Sequence, residues 1–251
     1  MSNQNILSTK INWLDNVIEF HGGLTLWNRY QTIEGPVKIG GVTWSLKNQE
    51  GVLNDVYFKA HLHRQQFSWR SLFAERLRSE FVPECVTLLD KNNKVVDKLF
   101  DPRDSFSGHT LNTPWTRLQL VYFSSYATWG YMTAPFHFLM PGVQVKEADP
   151  VKVKREVWKR LEVLYPDVMA RHSKRQIYYF SNEGFIKRID YWPDVPGNSP
   201  AAHIIEAYGE YGGIKVGTRR RIYILNEADN NYQPEPVLIS IDAADIKFND
   251  K

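Results

Sequence analysis

The 251-residue sequence predicts an α+β fold dominated by one antiparallel sheet. Three observations predict it. Short segments alternate apolar and polar residues, turn signals recur at intervals of about eight to twelve residues, and helical spacing appears in only two regions.

The first helical region is the entry, over 1–30. Ser8 can cap a segment whose Ile11, Leu14, Val17 and Ile18 recur at helical spacing. Gly22-Gly23 interrupts it, and 24–30 makes a second short piece. Strand patterns follow. Gly40-Gly41 separates expected strands at 32–39 and 42–47, Glu50-Gly51 precedes one at 52–63, and three more follow at 66–73, 76–81 and 86–90. Asn92-Asn93 is a turn before 94–100. A polar loop over 101–114 then leads to an aromatic segment, helical over 115–132 and irregular around Pro135 and Pro141. The stretch 101–142 thus reads as a loop and a helical plug.

Strands resume at 143–146 and 156–165. In the latter Val157, Leu161, Val163 and Tyr165 share one face, and Trp158, Arg160 and Glu162 share the other. Segments 174–180, 185–192, 201–208, 214–225 and 236–241 complete an antiparallel meander, with Asn182-Glu183-Gly184 as one turn. Without a linker or internal repeat, the chain reads as one domain, 1–251.

Composition narrows the function. The 31 basic and 28 acidic side chains nearly cancel, leaving +3. The strongest basic cluster, Arg219-Arg220-Arg221, alternates faces on a strand, so no more than two of its members share a side. A broad basic face is missing, which counts against nucleic acid as a partner. Cys85 is the only cysteine, so an internal disulfide is excluded. The N-terminal residues lack the pattern of a secretion signal, and a cytoplasmic location is the expectation. From 118 to 145 no residue carries a formal charge, but Gln119, Ser124, Ser125, Gly130, Pro135 and Pro141 interrupt it. It reads as buried, not as membrane-spanning. No Gly-rich phosphate cradle, paired CxxC or dinucleotide fingerprint occurs, so no cofactor is expected.

The second half carries an ordered set of features. Trp158, Leu161, Val163, Tyr165 and Pro166 are followed by Gln176 to Phe180, then by Gly184 to Tyr191. Tyr208, Tyr211, Gly213, Val216 and Thr218 to Ile222 come next, and Ile239, Ile241 and Asp245 to Phe248 last. This order resembles the closing strands of the bacterial lipoprotein-carrier superfamily, the LolA-like half-barrels. His21-Gly22-Gly23-Leu24 with Trp27 resembles the entry helix of such proteins. The resemblance covers about the first fifty and last hundred residues. It implies a strongly curved antiparallel sheet, a half-barrel closed by helices, that holds acyl chains or other apolar ligands.

Trp115, Tyr122, Phe123, Tyr126, Trp129, Tyr131, Phe136 and Phe138 place eight rings in twenty-four residues. A helix apolar all round is simply a core plug. Alternatively Tyr122, Tyr126 and Trp129, at i, i+4 and i+7, form a stripe across the mouth of the half-barrel, their polar tips orienting a ligand. Trp115, Tyr131, His137 and Tyr191 join them as candidate ligand contacts.

The loop with Asp101, Arg103, Asp104, Ser105, Ser107 and His109 offers a candidate acid–base pair, His109 with Asp101 or Asp104, or else only turn-capping groups. Ser105-Phe106-Ser107-Gly108 is not a nucleophile elbow, because the glycine two residues before the serine is missing. His203 falls by strand parity on an interior face with Ile205 and Ala207, as a core group, a ligand contact or a base paired with a tyrosine. His61 and His63 share a strand face at metal-ligand spacing, with His109, His137 and His203 as third-ligand candidates, but no second local element supports a metal. The leading expectation is a binding protein or carrier for an apolar or partly apolar small molecule. The rival is a cyclase, isomerase or hydrolase acting on a hydrophobic metabolite in the same pocket.

Overall fold

A computed structural model describes residues 11–195 and 199–250. The Ser8 cap lies outside them. Helix α1 (Asn12–Phe20) buries Leu14, Val17 and Ile18, and α2 (Gly23–Arg29) buries Trp27. Between them Gly22 and Gly23 both take positive φ, which glycine adopts at little cost.

Six strands then run as a meander: β1 (Tyr30–Gly40), β2 (Val56–His61), β3 (Phe67–Arg70), β4 (Arg78–Val82), β5 (Cys85–Leu89) and β6 (Val95–Phe100). After helix α4 (Arg117–Thr133), a second meander runs through β7 (Gln144–Val153), β8 (Glu156–Leu164), β9 (Arg175–Phe180), β10 (Ile186–Tyr191), β11 (Ala201–Tyr211) and β12 (Ile214–Asn226). Strand β14 (Ile239–Ala243) lies between β1 and β12 and fuses the meanders into one antiparallel sheet, in the order β6-β5-β4-β3-β2-β1-β14-β12-β11-β10-β9-β8-β7. Two short strands lie off that path: β13 (Asn231–Tyr232) pairs with β12, and β15 (Lys247–Asp250) pairs with β1. The sheet is large, open and curved.

One expected strand is a helix. Segment 42–47 is rich in β-forming residues, yet it forms α3 (Val42–Leu46). Gly41 has a φ of 110°, and an added Cβ would meet the Leu238 carbonyl at 2.4 Å, so the chain turns away from β1 there. The Val42 and Thr43 amides then donate to the carbonyls of Val237 and Leu238, both at 3.1 Å, which satisfies two orphan donors of a helix start. Two other boundaries move: 143–146 extends into the ten-residue β7, and the expected strand at 236–241 shifts to β14. On β8, Leu161 and Val163 are buried as parity requires, whereas Val157 is 50% exposed near the hairpin tip.

The chain passes from one sheet edge, β6, to the opposite edge, β7, by way of α4. The helix packs on β3, β4, β5 and β6 on one side and on β12 on the other. Fifteen of its seventeen residues are buried, so it is enclosed all round rather than amphipathic. Thr116 and Gln119 form a reciprocal capping box, at 3.2 and 2.9 Å, which fixes where the helix begins. Trp69 Nε1 donates to Ser124 Oγ at 3.0 Å, tying the helix to β3. Ahead of it, the buried Lys47 ammonium donates to the carbonyls of Thr110 and Thr113, at 3.1 and 3.4 Å, and to that of Leu111. It also lies 5.3 Å from the Trp115 ring centre, so α3 clamps the approach to α4. No helix among the described residues is long and apolar enough to cross a membrane.

Leu120 on α4 has no exposed surface. Leu120→Ala is expected to lower the free energy of unfolding by about 2–5 kcal/mol. Val157→Ala, on the exposed hairpin, is expected to change it by less than about 0.5 kcal/mol. Urea unfolding followed by tryptophan fluorescence measures both.

Candidate functional site

The interior is packed with rings, yet it contains a seam of polar groups between α4 and the second meander. Its members come from separate elements: Tyr126, Tyr131 and Thr133 from α4, His137 from the turn after it, and His172 from the loop between β8 and β9. Tyr165 follows β8, Tyr178 lies on β9, Tyr191 on β10, His203 on β11 and Arg220 on β12. All are buried.

Three groupings make up the seam. In the first, His172 Nε2 meets the Tyr131 hydroxyl at 2.6 Å and Nδ1 meets that of Tyr126 at 3.5 Å. Tyr131 also meets the Tyr191 hydroxyl at 3.2 Å, and the Tyr191 ring stacks on His172 with centres 4.3 Å apart. The second is directional. Thr133 donates its hydroxyl proton to the Trp129 carbonyl at 2.8 Å, so toward His137 Nδ1, at 3.2 Å, it acts as acceptor. His137 therefore carries its proton on Nδ1, and Nε2 accepts from Tyr165 at 2.8 Å. Tyr178 lies 2.8 Å from Tyr165 and 3.2 Å from Gln176 Oε1, dividing one proton between two acceptors.

The third grouping carries charge. The Arg220 guanidinium donates to His203 Nε2 at 3.3 Å, to the Tyr131 carbonyl at 2.7 Å and to the Gly217 carbonyl at 3.1 Å. Arginine can only donate, so His203 accepts at Nε2 and holds its own proton at Nδ1. That Nδ1 is buried and meets no hydrogen-bond partner.

Burial sets the protonation of the seam. It pulls His137 down to about 3, and together with the Arg103 charge it pulls His172 down to about 3. His203 is held well below the usual histidine range by burial first, then by Arg220 and His172. Burial also pushes the phenols of Tyr126, Tyr131, Tyr165, Tyr178 and Tyr191 upward. At neutral pH the seam is thus neutral imidazoles and protonated phenols around one cation.

The space left among these groups is small. A cavity of about 30 Å³, lined by Tyr126, Tyr131, His137, Tyr165, His172 and Tyr178 among others, has room for a water or two. A small-molecule pocket is typically about 300–1,000 Å³. With α4 in place, the half-barrel is full.

The structure gathers some candidates from the sequence and separates others. Tyr126, Tyr131 and Tyr191 converge on His172, and His137 joins the adjoining chain. Tyr122 and Tyr126 do form a stripe, with ring centres 5.2 Å apart. Their tips face protein, however. Tyr126 reaches His172, and Trp129 Nε1 donates to the carbonyls of His61 and Arg64 at 2.8 and 3.1 Å. Trp115 lies farther off, packed on Phe106 and Phe123.

The acid–base pair is not assembled. Asp101 and Asp104 are exposed, while the His109 ring lies against Phe106 with its buried Nδ1 unpartnered, so neither carboxylate meets it. His203 touches Tyr131 ring to edge, with centres 4.4 Å apart, and among the described residues its ring's hydrogen bond is the one from Arg220. His63 Nε2 is engaged by the Tyr30 carbonyl at 2.8 Å, and His61 Nδ1 accepts from the His63 amide at 3.1 Å. Among the described residues no three His, Cys, Asp or Glu side chains are grouped to hold a metal ion.

Sequence reasoning missed His172, which lies in an irregular loop where no periodicity marks an inward residue. Arg220 was half visible. Alternation along Arg219-Arg220-Arg221 requires a change of face, and β12 turns Arg219 and Arg221 toward Asp242 and Arg220 inward.

The histidine shifts fix a pH dependence. The folded imidazoles stay neutral, whereas in the unfolded chain they protonate near pH 6.5. Stability is therefore full above about pH 6.5 and is lost on acidification toward the folded value of about 3. Between pH 7 and pH 5, His137 and His172 are each expected to remove about 2 kcal/mol. Urea midpoints across that range measure the loss, and a flat profile would contradict it.

No known family profile matches the chain, and no curated protein is significantly similar to it in sequence. Solved structures are similar in fold. A putative outer membrane lipoprotein-sorting protein domain from Vibrio parahaemolyticus superposes with a TM-score of 0.53 at 8% identity, over 94% of this chain and 91% of that one. A LolA superfamily protein from Nitrosomonas europaea gives 0.53 at 8% identity, over 94% and 93%. The fold of this chain is LolA-like, a curved antiparallel half-barrel with its concave side filled by a helix.

Proposed function

We propose that the chain binds an apolar or partly apolar small molecule inside the half-barrel, as a carrier or binding protein, by exchanging α4 for the ligand. The observation that carries this reading is the manner in which α4 is held. The helix belongs to neither meander and is tethered through loops to the two opposite sheet edges. Its cohesion with the sheet comes from ring packing and from a few side-chain hydrogen bonds, while every strand pair keeps its own backbone ladder without it. Apolar contacts of that kind are non-directional, so an apolar ligand can replace them. The lipoprotein-sorting description of one structural relative agrees with an apolar cargo.

The aromatic rings then have two roles. In the closed form Tyr122, Tyr126, Trp129 and Tyr131 are core. In the open form the rings left on the strands, Tyr165, Tyr178 and Tyr191, wall the vacated space and offer hydroxyls to orient a ligand. Acid–base catalysis at neutral pH is poorly served by the seam, because histidines held near 3 are weak bases there.

Native mass spectrometry and solvent extraction of purified protein test the proposal. A stoichiometric apolar molecule, or saturable one-to-one uptake of an apolar fluorescent probe, is expected. Repeated preparations with no extractable molecule and no saturable uptake would overturn it.

A further inference from the structure

Among the described residues Arg220 is the one cation in the polar seam, and it has no counter-ion there. Among the described residues no carboxylate bonds to it, and its three acceptors are neutral: His203 Nε2, the Tyr131 carbonyl and the Gly217 carbonyl. The contrast with Arg188 on β10 is informative. That arginine is also buried, but it forms a two-pronged pair with the buried Asp190, at 2.6 and 2.9 Å, and Tyr179 bonds the same carboxylate. The fold can therefore neutralise a buried guanidinium when it needs one only for structure. Burying an unpaired charge is costly unless something compensates it.

The surroundings of Arg220 are built to keep it where it is. A Cβ added to Gly217 would lie 2.7 Å from Arg220 Nη2 and 2.9 Å from Ile205 Cγ2, so the absence of a side chain there makes room for the guanidinium. The Tyr131 ring centre lies 5.3 Å from Cζ. His203 faces the guanidinium with Nε2, and the proton on its Nδ1, on the other side of the ring, has no acceptor. Of the three acceptors, the Tyr131 carbonyl alone belongs to α4. When α4 leaves, Nη2 loses that partner, and the guanidinium is left in the vacated chamber with a free donor and no counter-ion.

We infer that the ligand is an amphiphile with a single carboxylate head, and that Arg220 receives that head in place of the Tyr131 carbonyl. The inference rests on the α4-exchange reading and adds the chemical class of the ligand to it. A carboxylate matches the planar fork of a guanidinium and brings one negative charge to one positive charge. A dianionic phosphate head would leave a second negative charge unbalanced, since His203 is neutral beside Arg220.

Titrating dodecanoate, dodecanol and dodecyl phosphate against the protein at pH 7.5 by probe displacement tests this. Dodecanoate is expected to bind at least about tenfold more tightly than dodecanol, and more tightly than dodecyl phosphate. In Arg220→Met the acid-to-alcohol ratio is expected to fall to about one, and in Gly217→Ala, which crowds the guanidinium while leaving its charge, it is expected to fall part of the way. Arg220→Lys, with charge but no fork, is expected to fall between. Because each ratio is taken within one variant, a general loss of stability does not mimic it. Equal binding of acid and alcohol by the unaltered protein, preference for the phosphate, or an acid preference that persists in Arg220→Met would overturn the carboxylate head while leaving the apolar-ligand reading in place. If none of the three alkyl probes binds, the α4-exchange reading fails, and the inference fails with it.

Discussion

The enclosure of α4 by the concave side of the sheet is the interaction on which the rest of the molecule depends. A curved sheet presents a row of apolar side chains to its hollow side, and those side chains must be covered. Here α4 covers most of them, with α2 packed on β1 and β12 beside it, because the chain has to cross from the β6 edge to the β7 edge and takes the route through the hollow. That route explains the composition of 117–133, which has rings and small polar residues on every side and charge only at Arg117. It also explains why the loop ahead of the helix is held from below by Lys47, whose ammonium caps three carbonyls of the turn leading into it.

The same enclosure accounts for the chemistry of the interior. A plug that carries Tyr126, Tyr131 and Thr133 brings hydroxyls into a place without bulk water, and each must meet a partner. The second meander supplies His172, Tyr165, Tyr178 and Tyr191. Neutral imidazoles and phenols suit this task, since they exchange donor and acceptor roles without net charge. Arg220 is the exception, a cation set under the helix with no carboxylate bonded to it among the described residues. The first meander meets α4 through ring packing and a few peripheral polar contacts: Trp69 Nε1 to Ser124, Trp129 Nε1 to the carbonyls of His61 and Arg64, and Arg117 to Glu75. The cation and the histidine–tyrosine seam thus lie on the second-meander side of the chamber, an arrangement matched to an amphiphile.

Much of the fold was legible because period-two alternation survives wherever a strand has one wet face. Strands β1 to β6 and β8 to β12 fall close to their expected places, and the two-glycine breaks at Gly22-Gly23 and Gly40-Gly41 mark true changes of direction. Segment 42–47 has the look of a strand after a two-glycine turn, but beside β1 it has no strand left to pair with. Both sides of β1 are already occupied, by β2 on one and by β14 and β15 on the other. The aromatic helix was visible as a buried segment. Its occupancy of the whole hollow was not, because spacing alone does not say whether a ring faces a cavity or fills it. His172 was invisible for a simpler reason: a loop residue becomes part of a site only through tertiary placement. The pairing of His109 with Asp101 or Asp104 rested on closeness in sequence, and a tight turn can point neighbours apart.

Hydrogen exchange along α4, read by mass spectrometry with and without a bound medium-chain fatty acid, tests the displaceable plug most directly. If α4 is exchanged for the ligand, its amides from 117 to 133 should open at lower free energy than those of β11 and β12, and ligand should speed their exchange while leaving the strands protected. If the α4 amides exchange only with global unfolding, and ligand leaves them unchanged, the helix is a permanent core and the half-barrel holds nothing else.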